Sequence, residues 1–260
     1  KELWMRPIDY FLRSASLSTN DVFLKDYKTE YSYKSAEVKI RLIAQALQAR
    51  GLKQNDSVAV YSPNNADAVI CIFSAILAGA SWVPVNIRNS VKSNIEYMKY
   101  VSTKWLFFDS SLETEIDSYE GKLTFLNQSI CIDKNIEKHS SVEDFIRTSA
   151  DYHINDSTDP FSSPDSVFSR WPTGGTTGPS KGVEMKNSNI VTMFELGIKH
   201  YIGTRERDIV HLAVAPITHA AGLLIGIFSA CKGLNIIHEN FNEEQVLLEI
   251  ERSKVTHIFL

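Results

Sequence analysis

Apolar positions change their period several times along the 260-residue chain, and each change marks an element. In residues 7–16, Ile8, Phe11 and Leu12 fall three and four apart on one side of a short amphipathic helix. Residues 22–24 and 30–33 read as the arms of a hairpin around a polar turn at Asp26–Lys28. Ser32 is placed to cap a helix running to Arg50. Along it Val38, Leu42 and Ala46, and Ile43 and Leu47, keep the i, i+4 spacing, and Gly51 ends it. From there the pattern alternates: strand 57–61, helix 65–78 stopped by Gly79, strand 82–85, helix 90–101, strand 105–108. That order implies right-handed crossovers and a parallel sheet with helices on its faces. The helix at 65–78 is apolar almost all round, which predicts deep burial.

A further strand fits either 123–126 or 129–133, followed by a helix near 142–148. Residues 151–165 are rich in Ser, Asp and Pro and have little to bury. They read as an exposed connector between a first α/β portion (1–150) and a second (166–260). In the second, helix 187–200, strand 209–215, helix 220–232, strand 234–238, helix 243–253 and strand 255–260 restore the alternation. The fold class expected is α/β, with layered, parallel-rich sheets. Because the sequence stops inside a strand, the chain is expected to be the N-terminal part of a larger domain. An exposed strand edge there would favour self-association into a homo-oligomer.

Composition narrows the function. A hydrophobic content of 43% is enough for a substantial core. A net charge of −4 with no basic stripe argues against nucleic acid as a partner. Cys71, Cys131 and Cys231 lie far apart with no C-x-x-C spacing, which favours free thiols in a reducing, cytoplasmic setting over a structural zinc. Residues 212–231 are nearly uncharged and about long enough to span a bilayer. Pro216, Thr218, His219, Gly222 and Gly226 break that run into a β-like and a helix-like half, which argues against an integral membrane segment.

The stretch with the most chemistry is residues 173–182, TGGTTGPSKG. Four glycines, three threonines, a serine and one lysine can neither pack a core nor hold a ladder. They can bring backbone N–H groups and small hydroxyls close to an anion. The P-loop pattern requires Ser or Thr directly after Gly-Lys, but Lys181 follows Ser180 and precedes Gly182. Gly174, Gly175 and Gly178 give G-G-x-x-G, so the dinucleotide fingerprint also fails. A flexible hairpin tip is the bland alternative.

This loop resembles the phosphate loop of the adenylate-forming superfamily, which includes acyl-CoA synthetases, aryl and amino-acid adenylation domains, and luciferases. Gly174 stands where many members have Ser, Pro179 sits one place early, and Arg170 replaces a usual apolar residue. The run 31–80, the segment WVPVNIR (82–88), the segment PITHAAGL (216–223) and the strand at 255–260 resemble further blocks of the same family in the same order. Ile87 and Thr218 depart from its pattern.

The resemblance implies activation of a carboxylic acid with ATP to an acyl-adenylate, then transfer to a thiol, usually of coenzyme A. It implies that Thr173, Gly174, Gly175, Thr176, Thr177, Gly178 and Lys181 cradle the ATP phosphates. It implies too that His219 lines or gates the acid pocket; the bland alternative is a half-buried histidine capping the next helix. It implies a requirement for Mg²⁺, with its carboxylate and the catalytic lysine expected beyond residue 260, so the chain by itself is expected to be inactive. Ala220 and Ala221 after the histidine tilt the reading toward an acyl-CoA synthetase. The alternatives are a domain that loads a carrier protein, or a non-catalytic relative that binds nucleotide or acyl groups. His211, His238 and His257 share no metal-ligand spacing and read as core or edge histidines; Asp165 and Glu184 read as solvated charges.

Overall fold

A computed structural model describes residues 4–149, 163–173, 181–202 and 208–260. Helix α1 (Pro7–Leu17) leads into the hairpin β1 (Val22–Lys25) and β2 (Glu30–Ser32), then α2 (Tyr33–Ala49). The alternating run follows as β3 (Ser57–Tyr61), α3 (Ala66–Leu77), β4 (Ser81–Val85), α4 (Val91–Tyr100) and β5 (Thr103–Phe108). After α5 (Glu113–Asp117) come β6 (Gln128–Cys131), β7 (Ser140–Ser141) and α6 (Val142–Arg147). The hairpin β8 (Val167–Pro172) and β9 (Gly182–Lys186) precedes α7 (Asn187–Gly197). The last elements are β10 (Val210–Ala213), α8 (Ala220–Ser229), β11 (Leu234–Ile237), α9 (Glu243–Ser253) and β12 (His257–Phe259).

These strands form two sheets. One has the order β12-β10-β11-β1-β2, the other β7-β6-β5-β3-β4-β8-β9. Pairing is parallel except in the hairpins β1–β2 and β8–β9. Sheet membership crosses the 151–165 connector in both directions: β1 pairs with β11, with Leu24 opposite Asn235, and β4 pairs with β8, with Trp82 opposite Ser169. Most of that connector lies outside the described residues.

Helix α3 is buried along almost its whole length, as its all-round apolarity requires; Ala66 and every residue from Ala68 to Ala75 are buried. Asn65 caps it by accepting the Ala68 N–H at 2.7 Å. The Asp26 carboxylate in the β1–β2 turn accepts the Ala66 N–H at 2.8 Å, so the hairpin tip also holds the helix start. Gly51 and Gly79 end α2 and α3 with φ of 90° and 87°, where a Cβ would be strained.

Three expectations need correction. In α2 the buried residues are Tyr33, Ala36, Ile40, Ile43, Ala44, Ala46 and Leu47, so Ala46 of the first expected row is buried while Val38 and Leu42 face outward. Two i, i+4 rows were available there, and contact with α3 and α6 chose between them. Of the two placements offered for the strand before α6, the chain takes the second, as β6, while Leu123, Phe125 and Leu126 pack as a turn against the α4 layer. The helix after β9 loosens into a π turn at Ile198–Ile202. Helix α8 stops at Ser229 because Lys232 turns to φ 60° and Gly233 N–H closes onto the Phe228 carbonyl at 3.0 Å. The uncharged run 212–231 is therefore part strand and part helix, and no helix among the described residues is long and apolar enough to cross a membrane.

His211 and His238 are core histidines. Burial pushes the His211 imidazole down from 6.5 to about 4, opposed by its contact with Asn235 (Nδ1 to Oδ1, 2.9 Å). Burial also lowers His238, opposed by Glu249. Their neutral forms are favoured in the fold, so the stabilisation is complete above the unfolded value and is lost as pH falls below it, for His211 between 6.5 and about 4. For His211 the loss should be on the order of 3 kcal/mol. Denaturant unfolding at pH 7, 5.5 and 4 checks this. His211→Gln should flatten the profile across that window, and an unchanged profile would show that His211 does not titrate there.

Candidate active site

The β8–β9 hairpin delivers both ends of the glycine loop to one point. Beyond Pro172, the Thr173 N–H donates to the Lys181 carbonyl at 2.8 Å and the Lys181 N–H donates to Thr173 Oγ1 at 3.2 Å. The Thr173 hydroxyl also reaches the Lys181 carbonyl at 3.1 Å. Thr173 thus spends its hydroxyl on closing the loop base. Gly174, Gly175, Thr176, Thr177 and Gly178 lie outside the described residues. The Lys181 side chain is exposed, and among the described residues no carboxylate lies within ion-pair distance of it. A solvent-facing cation at the mouth of a pinned hydroxyl- and glycine-rich loop suits a polyphosphate.

Arg170, the departure noted in the sequence, anchors this hairpin. Its guanidinium donates to the Asn55 carbonyl at 3.0 Å and the Ser57 hydroxyl at 2.7 Å, and it pairs with Glu184 at 3.0 Å. Glu184 is therefore paired rather than merely solvated, as is Asp165 with Lys186 at 2.9 Å. Both carboxylates are more than half exposed, so these pairs add little stability.

Because β8 runs parallel to β4, the loop leaves at the carboxyl end of its sheet. His219 follows the carboxyl end of β10 in the other sheet, and open α/β sheets place ligands at such ends. The aromatic ring of Trp171 joins the two. It meets the His219 imidazole edge-on with centroids 6.1 Å apart, and meets Trp82 edge-on at 5.3 Å. His219 occupies the N-cap position of α8, yet its side chain makes no capping bond and is exposed. Capping does not occupy it.

Asn64, to which sequence reasoning gave no role, holds the ends of three strands together. Its Nδ2 donates to the Ala215 and His238 carbonyls at 3.0 and 3.2 Å, and its Oδ1 accepts the Ile217 N–H at 2.9 Å. The amide thus ties the loop after β3 to the ends of β10 and β11, just ahead of His219. An asparagine following the strand pattern SVAVY was the available clue.

All three cysteines are free, and burial raises each thiol, Cys71 well up and Cys131 and Cys231 to about 11. No cluster of His, Cys, Asp and Glu that could hold a metal ion occurs among the described residues, so none of them is assigned to Mg²⁺.

A 2-succinylbenzoate–CoA ligase of Staphylococcus aureus is 26% identical over 263 residues, covering 97% of this chain and 52% of the ligase. The chain spans about half the length of the curated relatives it matches. Among solved structures, the anthranilate CoA ligase AuaEII in complex with anthranoyl-AMP superposes with a TM-score of 0.88 at 19% identity, over 100% of this chain and 50% of that one. The o-succinylbenzoate CoA synthetase of Bacillus subtilis, in complex with its acyl-adenylate intermediate, gives 0.75 at 19% identity, over 96% and 60%. At such identities the structural likeness speaks for the fold alone. The sequence match to the family runs over residues 11–260, and the chain belongs to the AMP-binding enzymes, the adenylate-forming acid–CoA ligases among them.

Proposed function

We propose that the full-length protein activates a carboxylic acid with ATP and Mg²⁺ to an acyl-adenylate, and then forms a thioester with coenzyme A. The observation that supports this best is the convergence, on Trp171, of a pinned phosphate-type loop and an exposed histidine at the mouth of the second sheet. Lys181 and the loop's N–H groups and hydroxyls would hold the triphosphate while the carboxylate oxygen attacks the α-phosphorus in line. Fixed donors there neutralise charge and hold the two reactants in one geometry. His219 would face the acid. The glycines of the loop would let the backbone approach the phosphates closely.

The acid itself is a finer question. The 26% identical relative acts on 2-succinylbenzoate, and an aryl or keto acid of that kind is the first candidate to test, ahead of a fatty acid. Pyrophosphate exchange by the full-length protein with aryl, keto and fatty acids is the experiment: exchange with at least one class is expected, and none with any would overturn the proposal. In the same assay His219→Ala should raise the KM for the acid or slow adenylation, with the KM for ATP nearly unchanged. A lowered melting temperature with unaltered kinetics would return His219 to a structural role.

A further inference from the structure

An apolar cavity of about 30 Å³ is walled by α1, α3, α7 and α8 and by Trp82 and Phe168. Its α8 wall is a single helix stripe. Gly222, Gly226 and Ser229 line the cavity, and they follow His219 by three, seven and ten residues, the spacing of one face. Phe194 also lines the cavity, and its ring packs directly on Gly226.

Trp82 sets the chemistry of this space. Its side chain is 1% exposed, and its indole N–H finds no partner among the described residues. Among the described residues, it is the only buried polar atom without a partner whose side chain lines the cavity. Burying such a donor without an acceptor is costly, and an indole nitrogen can only donate. The other polar side chain on the wall, Ser229, already gives its proton to the Gly226 carbonyl at 2.8 Å. A water bound here would have few partners. Trp82 also touches Trp171, which touches His219, so the orphan donor sits two ring contacts from the proposed carboxylate position.

We propose that this cavity receives the distal tip of the acid being activated, and that the Trp82 indole N–H donates to a carbonyl oxygen on that tip. The inference rests on the acid-activating function proposed above. Trp82 is then a specificity-determining residue, and the substrate class is a compact carboxylic acid carrying a second oxygen function remote from its carboxyl group. A volume of about 30 Å³ admits a terminal acetyl-sized group after small adjustments, not a long chain.

The test uses a matched pair of probes, 7-oxooctanoic and octanoic acid, titrated into the full-length protein. The Trp82 N–H resonance, assigned by its absence in Trp82→Phe, is followed in parallel. The oxo acid should bind about five-fold more tightly, the gain of one neutral hydrogen bond, and should move that resonance downfield. Trp82→Phe keeps a ring in the wall and should bind both acids alike. If that variant does not fold, the resonance in the unaltered protein, assigned instead through its through-space contacts to the Trp171 ring, still decides. Equal affinities, a preference that survives Trp82→Phe, or an N–H bonded to an ordered water that neither acid displaces would each overturn the inference. Pyrophosphate exchange separates the two readings. Exchange without a Trp82-dependent preference overturns the cavity assignment alone. Such a preference without exchange supports the cavity as an acid site and overturns adenylation.

Discussion

Gly222→Ala is expected to destabilise the protein by on the order of 3 kcal/mol or more and to displace His219. A Cβ at position 222 would fall onto the carbonyl oxygen of Ile217, with the Ile217 carbonyl carbon at 3.1 Å and the Trp82 ring at 3.3 Å. The obstacle is backbone, so no rotamer change relieves it. Nor can the 215–217 segment yield cheaply, because Asn64 holds the Ala215 carbonyl and the Ile217 N–H. Either α8 or the turn bearing His219 must move. Denaturant unfolding measures the cost, with Gly121→Ala as control. No atom lies within 4 Å of a Cβ built at position 121, so that change should stay within about 0.5 kcal/mol. Equal behaviour of the two variants would show that the α8 turn is more adaptable than its geometry implies.

Asn64→Ala should cost on the order of 3 kcal/mol as well, for a different reason. The amide is 8% exposed and satisfies three backbone groups, none of which gains a replacement partner when it is removed. For a chain of this size such a loss lowers the melting temperature by about 6–10 °C. Asn64→Asp should do no better. It keeps an acceptor for the Ile217 N–H but sets carboxylate oxygen against the Ala215 and His238 carbonyls. A calorimetric scan of the three proteins checks the order, and a fully stable Asp variant would contradict it. Both substitutions act on the junction that carries His219, so reduced acid activation should accompany reduced stability.

These two residues also show where sequence reading reached and where it stopped. Periodicity located α9 to the residue, because Asn242 caps it and Lys254 leaves it in the left-handed region. It located α3 and the strands beside it, because a buried helix and buried strands leave no doubt about which positions are apolar. Period does not say which strand is a neighbour. The pairing of β1 with β11, more than two hundred residues apart, follows from packing that only the folded chain provides. In α2 two apolar rows competed, and tertiary contact left Val38 at 46% exposure and Leu42 at 40%. In the candidate site, Thr173, Lys181 and His219 are the residues that the sequence motifs single out. What holds them escapes such motifs: Asn64 and Arg170 act through bonds to backbone groups far along the chain, which no local pattern records.

The assignment of residues 173–181 to ATP phosphates is tested most directly by ATP binding to the full-length protein carrying Lys181→Ala. Lys181 is exposed and its bonds to Thr173 use only its backbone, so the substitution should leave the hairpin and the melting temperature unchanged. Loss of a charge-assisted phosphate contact, about 1.5–3 kcal/mol, should weaken ATP binding roughly tenfold or more. An affinity for ATP equal to that of the unaltered protein, in a variant that folds normally, would contradict the placement of the triphosphate at this loop.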